Sequence, residues 1–135
     1  MSEERTARVD AETLAAFCAK LADDKLAEDV MTIPIAGKSS VADHLVIATA
    51  NSMPHLTALA SHIERSVRET YKLRVYASDG ASESGWVVLD FVTVIVHLML
   101  AEVRTRYGLE SLWSGEPTPQ AISEIESHIR RRKQD

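Results

Sequence analysis

The run "WVVLDFVTVIVHLML", Trp86 to Leu100, limits the possible folds of this chain more than any other stretch. It is too short for a membrane-spanning helix, which needs about 20 apolar residues. Asp90 and His97 interrupt it as well. Its β-branched residues favour extended backbone, and there are enough of them for two strands. A near-continuous apolar strand must be covered on both faces. The chain therefore has to supply helices to lie over a sheet, and the remaining sequence contains them.

From Asp10, the residues Leu14, Phe17, Cys18 and Leu21 recur at helical spacing, joined by the stem of Lys25. Asp10 is placed to cap the first turn, and Glu12 suits its positive end. "VMTIPI" reads as a short strand, with Pro34 favouring a sheet edge. "AGKSS" reads as a turn, and "HLVIATA" (residues 44–50) as a central strand. Asn51 or Ser52 caps a second helix, with Pro54 tolerated in its first turn. Leu56, Leu59, Ala60, Ile63 and Val67 form the stripe of that helix. "LRVYA" is expected to be a strand, "SDGASESG" a polar loop, and "AEVRTRY" a short helix. The order is helix, strand, strand, helix, three strands, helix. Such interspersion implies a layered α/β/α domain with a mixed sheet of about five strands. Residues 1–9 are expected to be a flexible leader, 10–114 the domain, and 115–135 a linker and helical tail. In that tail Ile122, Ile125 and Ile129 share a face.

Composition narrows the functional classes. The formal net charge of −5 disfavours a broad grip on a phosphate backbone and is compatible with a basic protein partner. With Cys18 as the single cysteine, no intramolecular disulfide or cysteine-based zinc site is possible. Cys18 lies on the apolar helical face, as a buried, inert thiol would. The N-terminus has no secretory pattern, so a cytoplasmic location is expected.

Gly37-Lys38-Ser39 invites a nucleotide reading. A phosphate-binding loop needs a first glycine where this chain has Thr32. Pro34 removes an amide from the cradle, and a strand follows instead of a helix. The loop reading fails on all three. A nucleotidyltransferase would use Ser39, Asp43 and Asp90, but the position two after Asp43 is Leu45, not a second acid. His44 and Asp43 are adjacent in an extended segment, so one metal cannot easily use both. A glycine turn with local serine hydrogen bonds accounts for the stretch better.

Three separated blocks, "GKSSVADHLVIATANS", "GWVVLDFVTVIVHLML" and "RYGLESLW", together resemble the ribosomal silencing factor (Iojap, YbeB-like) family over about residues 10 to 114. The resemblance implies a nucleotidyltransferase-like fold without the catalytic acids, no enzymatic activity and no cofactor. It implies binding to large-subunit ribosomal protein L-fourteen, blocking of small-subunit joining and repression of translation, with a homodimer in isolation. It places the partner surface at Trp86, Leu89, Asp90, Phe91, Tyr107, Glu110 and Trp113. Trp86 reads either as a core residue or as an interface anchor, and Asp90 either as a turn cap or as an acceptor for a partner's Lys or Arg. His97 reads as a hydrogen-bonded core residue. The basic run Arg130 to Lys133 is a solvated end that could add minor attraction to ribosomal RNA.

The sequence departs from the family pattern at two places. Val92-Thr93 stands where the family usually has Gly-Asp. Because a β-branched residue resists positive φ, a bulge or continuous strand is expected there instead of a tight turn. Met53-Pro54-His55 stands where the family often carries Arg-His, so any contact made by that arginine is lost.

Overall fold

In the computed structural model, the described residues are 9–37, 42–75, 77–79, 84–106, 119–120 and 123. The first helix, α1 (Ala11–Asp24), begins where Asp10 accepts a hydrogen bond from the Thr13 N–H at 2.7 Å. That bond satisfies one of the free amides of the first turn and holds the Asp10 carboxyl below its usual range. Leu14, Ala15, Cys18 and Ala22 form the buried stripe, while Phe17 and Leu21 lie at its margin. The helix stops in a Schellman arrangement. Ala27 N–H bonds Ala22 O at 3.0 Å and Leu26 N–H bonds Asp23 O at 2.9 Å. This puts Leu26 at φ +67°, a position usually filled by glycine, and leaves its side chain 77% exposed.

Strand β1 (Glu28–Pro34) pairs antiparallel with β2 (His44–Ala50), with a register shift between Glu28 and Met31. Asp29, at φ +50°, sits in that irregularity and accepts a 2.9 Å bond from Arg104. Gly37 turns the chain at φ +86°. From there β2 runs into the middle of the sheet with Leu45 to Ala50 all buried.

The second helix, α2 (Met53–Tyr71), is capped by Ser52, whose hydroxyl accepts from His55 N–H at 3.2 Å. Leu56, Leu59, Ile63 and Val67 are its fully buried residues. It ends at Lys72, φ +57°, whose N–H returns to Arg68 O. The next strand, β3 (Ala77–Asp79), starts later than the expected "LRVYA". Leu73 and Val75 instead pack against the core as part of the connection from α2. The tertiary contact of these two side chains overrides their β propensity. Strands β4 (Trp86–Asp90) and β5 (Val94–Leu100) form a hairpin, and α3 (Ala101–Arg106) follows directly.

Among the described residues the sheet has five strands in the order β1-β2-β5-β4-β3. Of these strands β2 and β5 pair parallel, and β1–β2, β4–β5 and β3–β4 pair antiparallel. The proline-bearing strand β1 is at one edge, as a residue without an N–H requires. The pleat divides the core in two. Val46, Ala48, Val87, Leu89, Val94, Val96 and Leu98 meet α1 and α2 on one face. Leu45, Ile47, Trp86, Val88, Ile95 and Met99 meet Val103 of α3 on the other. The architecture is the mixed α/β sheet expected from the sequence.

Candidate functional site

The β4–β5 hairpin carries four of the residues proposed for the partner surface. Asp90 closes β4 and is fully buried, and its Oδ1 accepts the Val92 N–H at 2.8 Å. Phe91 N–H bonds Val94 O at 2.9 Å, and Thr93 N–H returns to Phe91 O at 3.0 Å. A bond between residues two apart makes a γ-turn, and Val92 at its centre has φ +78°. The expected bulge or continuous strand is therefore corrected: the turn is tight, with valine in the left-handed region. Three hydrogen bonds hold the backbone there, and the valine side chain, 54% exposed, has open solvent in which to avoid a clash. The turn is also fixed from below, because Thr93 O accepts from the N–H groups of Asp43 and His44 at 2.9 and 3.1 Å.

Trp86, at the far end of β4, is 3% exposed. Its Nε1 donates to His97 Nδ1 at 2.9 Å, with the rings edge to face and their centroids 5.7 Å apart. An indole nitrogen can only donate, so His97 accepts through Nδ1 and is the neutral, Nε2-protonated tautomer. Leu89 is fully buried on the α1–α2 face and Phe91 is 2% exposed beside it. The side chains of Trp86, Leu89, Asp90 and Phe91 thus lie inside the chain. The solvent-facing residues of this segment are Val92 and Thr93, which residue type alone did not single out. A clue was present in the sequence, since valine stands where the family pattern has glycine. Tyr107, Glu110 and Trp113 fall outside the described residues.

Gly85, just before β4, has φ +77°, and a Cβ there would lie 2.9 Å from Val103 Cγ2 and 3.3 Å from Leu100 Cδ1. Glycine thus lets α3 close over the start of β4. His55 also has a structural assignment. Its Nδ1 accepts from Asn51 N–H at 2.9 Å, and its Nε2 is 2.8 Å from Lys25 O. It ties the end of α1 to the start of α2.

The constellation considered for nucleotidyl transfer does not come together as a metal site. Asp90 is buried and bonded to its own turn, whereas Asp43 is exposed at the start of β2. Ser39 falls outside the described residues. Among the described residues, no three His, Cys, Asp or Glu side chains converge to hold an ion. Burial pushes the Cys18 thiol up to about 12, far from a nucleophile's range. No helix among the described residues is long and apolar enough to cross a membrane.

A family model described as "Ribosomal silencing factor during starvation" matches residues 8–135. The chain belongs to the ribosomal silencing factor family. Among its relatives, the Zymomonas mobilis ribosomal silencing factor is 36% identical over 116 residues, covering 85% of this chain and 86% of the relative. The Bacillus subtilis ribosomal silencing factor is 35% identical over 101 residues, covering 75% and 85%. A crystal structure of a Chromobacterium violaceum protein superposes with a TM-score of 0.72 at 25% identity, covering 80% of this chain and 89% of that one. Within the ribosomal silencing factor family, then, this chain builds the turn after Asp90 with valine and the start of α2 with Pro54 and His55.

Proposed function

We propose that this chain binds the large ribosomal subunit through ribosomal protein L-fourteen and sterically blocks joining of the small subunit, repressing translation. The observation that carries this reading is the family match, which spans residues 8–135. Its relatives are named for ribosomal silencing, a regulatory role and not a catalytic one. The acidic charge of −5 suits a basic ribosomal-protein partner.

In this proposal Tyr107, Glu110 and Trp113 supply partner contacts together with the exposed Val92 and Thr93. Trp86, Leu89, Asp90 and Phe91 act from beneath, by fixing the hairpin that presents the turn. The basic run Arg130 to Lys133 adds a minor attraction to ribosomal RNA. In isolation the chain forms a homodimer, and it works in the cytoplasm without a cofactor. The test uses purified large and small subunits with added protein, resolved on a sucrose gradient. The protein should travel with the large subunit and lower the joined-ribosome peak. Full subunit joining at saturating protein would refute the proposal.

A further inference from the structure

The end of the sheet opposite the 91–93 turn carries a second feature. There the parallel strands β2 and β5 finish side by side, and the chain leaves them for opposite faces, α2 on one and α3 on the other. In open α/β sheets, the crevice beyond the carboxyl ends of strands at such a divergence is where ligands bind. A cleft of about 370 Å³ lies there, lined among others by Glu28, Thr49, Asn51, Met53, Leu100 and Glu102.

Strand register brings two of these residues together, and α3 adds a third. Glu28 is directly opposite Thr49 across β1 and β2, so their side chains stand as neighbours on one side of the sheet. Leu45 and Ile47 pack with Val103 of α3. By strand alternation Thr49 therefore faces the α3 side too, where Glu102 forms the wall of the cleft. Thr49 is 2% exposed, and its hydroxyl oxygen has no hydrogen-bond partner. Buried polar groups are nearly always paired, so an orphan at a cleft needs an explanation.

The lining decides the ligand's sign. Several amides at the start of α2 are unavailable to an anion: Pro54 has no N–H, the His55 N–H is given to Ser52, and the Asn51 N–H to His55. The carboxylates, by contrast, are only lightly held. Glu102 lies 3.9 Å from Arg106 with both side chains well exposed, and Arg104 is committed to Asp29. Among the described residues Glu28 makes no ion pair. Leu100 and Met53, both half-buried, provide apolar surface beside them.

The geometry points to a receptor for one lysine or arginine side chain from a basic segment of a partner protein. The alkyl stem lies along Leu100 and Met53, the cationic head sits between Glu28 and Glu102, and an N–H of that head is donated to the Thr49 hydroxyl. The identity of the partner as a ribosomal protein rests on the function proposed above; the chemistry of the cleft does not.

The test is a titration of the ¹⁵N-labelled full chain with N-acetyl-argininamide, followed by amide shifts, with neutral N-acetyl-glutaminamide as control. Saturable shifts confined to Thr49–Asn51 and Leu100–Glu102 are expected for the cationic probe alone. The Glu28→Gln/Glu102→Gln variant should bind it about fivefold to tenfold more weakly, from the loss of two exposed charge pairs. Thr49→Val should weaken it while the protein stays folded. No saturable shift, scattered shifts, or an unchanged response in the double variant would overturn the proposal. In a pelleting assay with purified large subunits, the double variant should bind several-fold more weakly than wild type. Equal binding would overturn the role of the cleft in partner capture. If wild type itself does not pellet with subunits, the ribosomal reading fails, and the probe titration still decides the chemistry of the cleft.

Discussion

Replacing Val92 with glycine and, separately, with alanine isolates the strain in the γ-turn. Both changes delete the same half-exposed side chain, so the lost contacts are nearly matched. They differ in backbone preference. An L-residue in the left-handed region is disfavoured by about 1–2 kcal/mol relative to its ordinary conformations. Glycine escapes that term but loses more chain freedom on folding, about 0.5–1 kcal/mol. At φ +78° the difference favours glycine by about 1 kcal/mol. At an exposed position in the middle of α2, such as Ser61, the order should reverse, with alanine more stable by about 1 kcal/mol. Urea unfolding of the four variants, with slopes compared to confirm a common unfolded state, provides the measurement. For a chain of this size the Val92 pair should also differ by roughly 3–5 °C in Tm. If Val92→Ala equals or exceeds Val92→Gly in stability, the turn is not held in the left-handed region.

Further outcomes follow from the same packing. Trp86→Phe leaves the buried His97 Nδ1 without its donor, so stability should drop by about 1–3 kcal/mol. Large-subunit binding per folded molecule should hardly change; a binding loss with intact stability would return Trp86 to the contact surface. Gly85→Ala forces a methyl against Val103 at positive φ and should destabilise by more than about 1 kcal/mol. Adding Val103→Ala should recover less than all of that loss, because the backbone strain persists. Cys18 should resist alkylation at pH 8 until the chain unfolds, since burial keeps the thiol protonated. Because its folded value is raised, its contribution to stability is complete below the unfolded value of about 8.5 and declines as pH rises toward 12. A labelling rate matching that of the unfolded chain would contradict its burial.

Periodicity made the element order legible, because the stripes of α1 and α2 and the runs of β2, β4 and β5 arise from burial that any homologous packing would require. The caps at Asp10 and Ser52 were legible for a local reason: the side chain bonds an amide three residues away. Two features were not accessible this way. Leu73 and Val75 are not part of β3 because they are drawn into the core, a tertiary effect that local propensity does not encode. The Val92 turn contradicts the intrinsic preference of its residue and is held by Asp90 and by the backbone around it. For the site, the family blocks mark the hairpin, but Trp86 and Asp90 are buried and only burial distinguishes them from the exposed Val92 and Thr93 at its tip. The Glu28–Thr49–Glu102 grouping joins residues far apart in sequence, so it emerges only from the β1–β2 register and the placement of α3 beside the cleft.

The parallel pairing of β2 with β5 also constrains when the chain can fold. Every other strand contact joins neighbours in sequence, but β2 gains its second partner only after residues 94–100 exist. At a synthesis rate of about 5–20 residues per second, the stretch from the end of β2 to the end of β5 takes roughly 3–10 s. Throughout that interval one side of an almost wholly apolar strand has no backbone partner, and closing so distant a pairing is entropically slow. Until β5 is available, the open side of β2 is an unpaired apolar edge of the kind that invites edge-to-edge association. Its slowest folding step should be the docking of the β4–β5 hairpin onto β2.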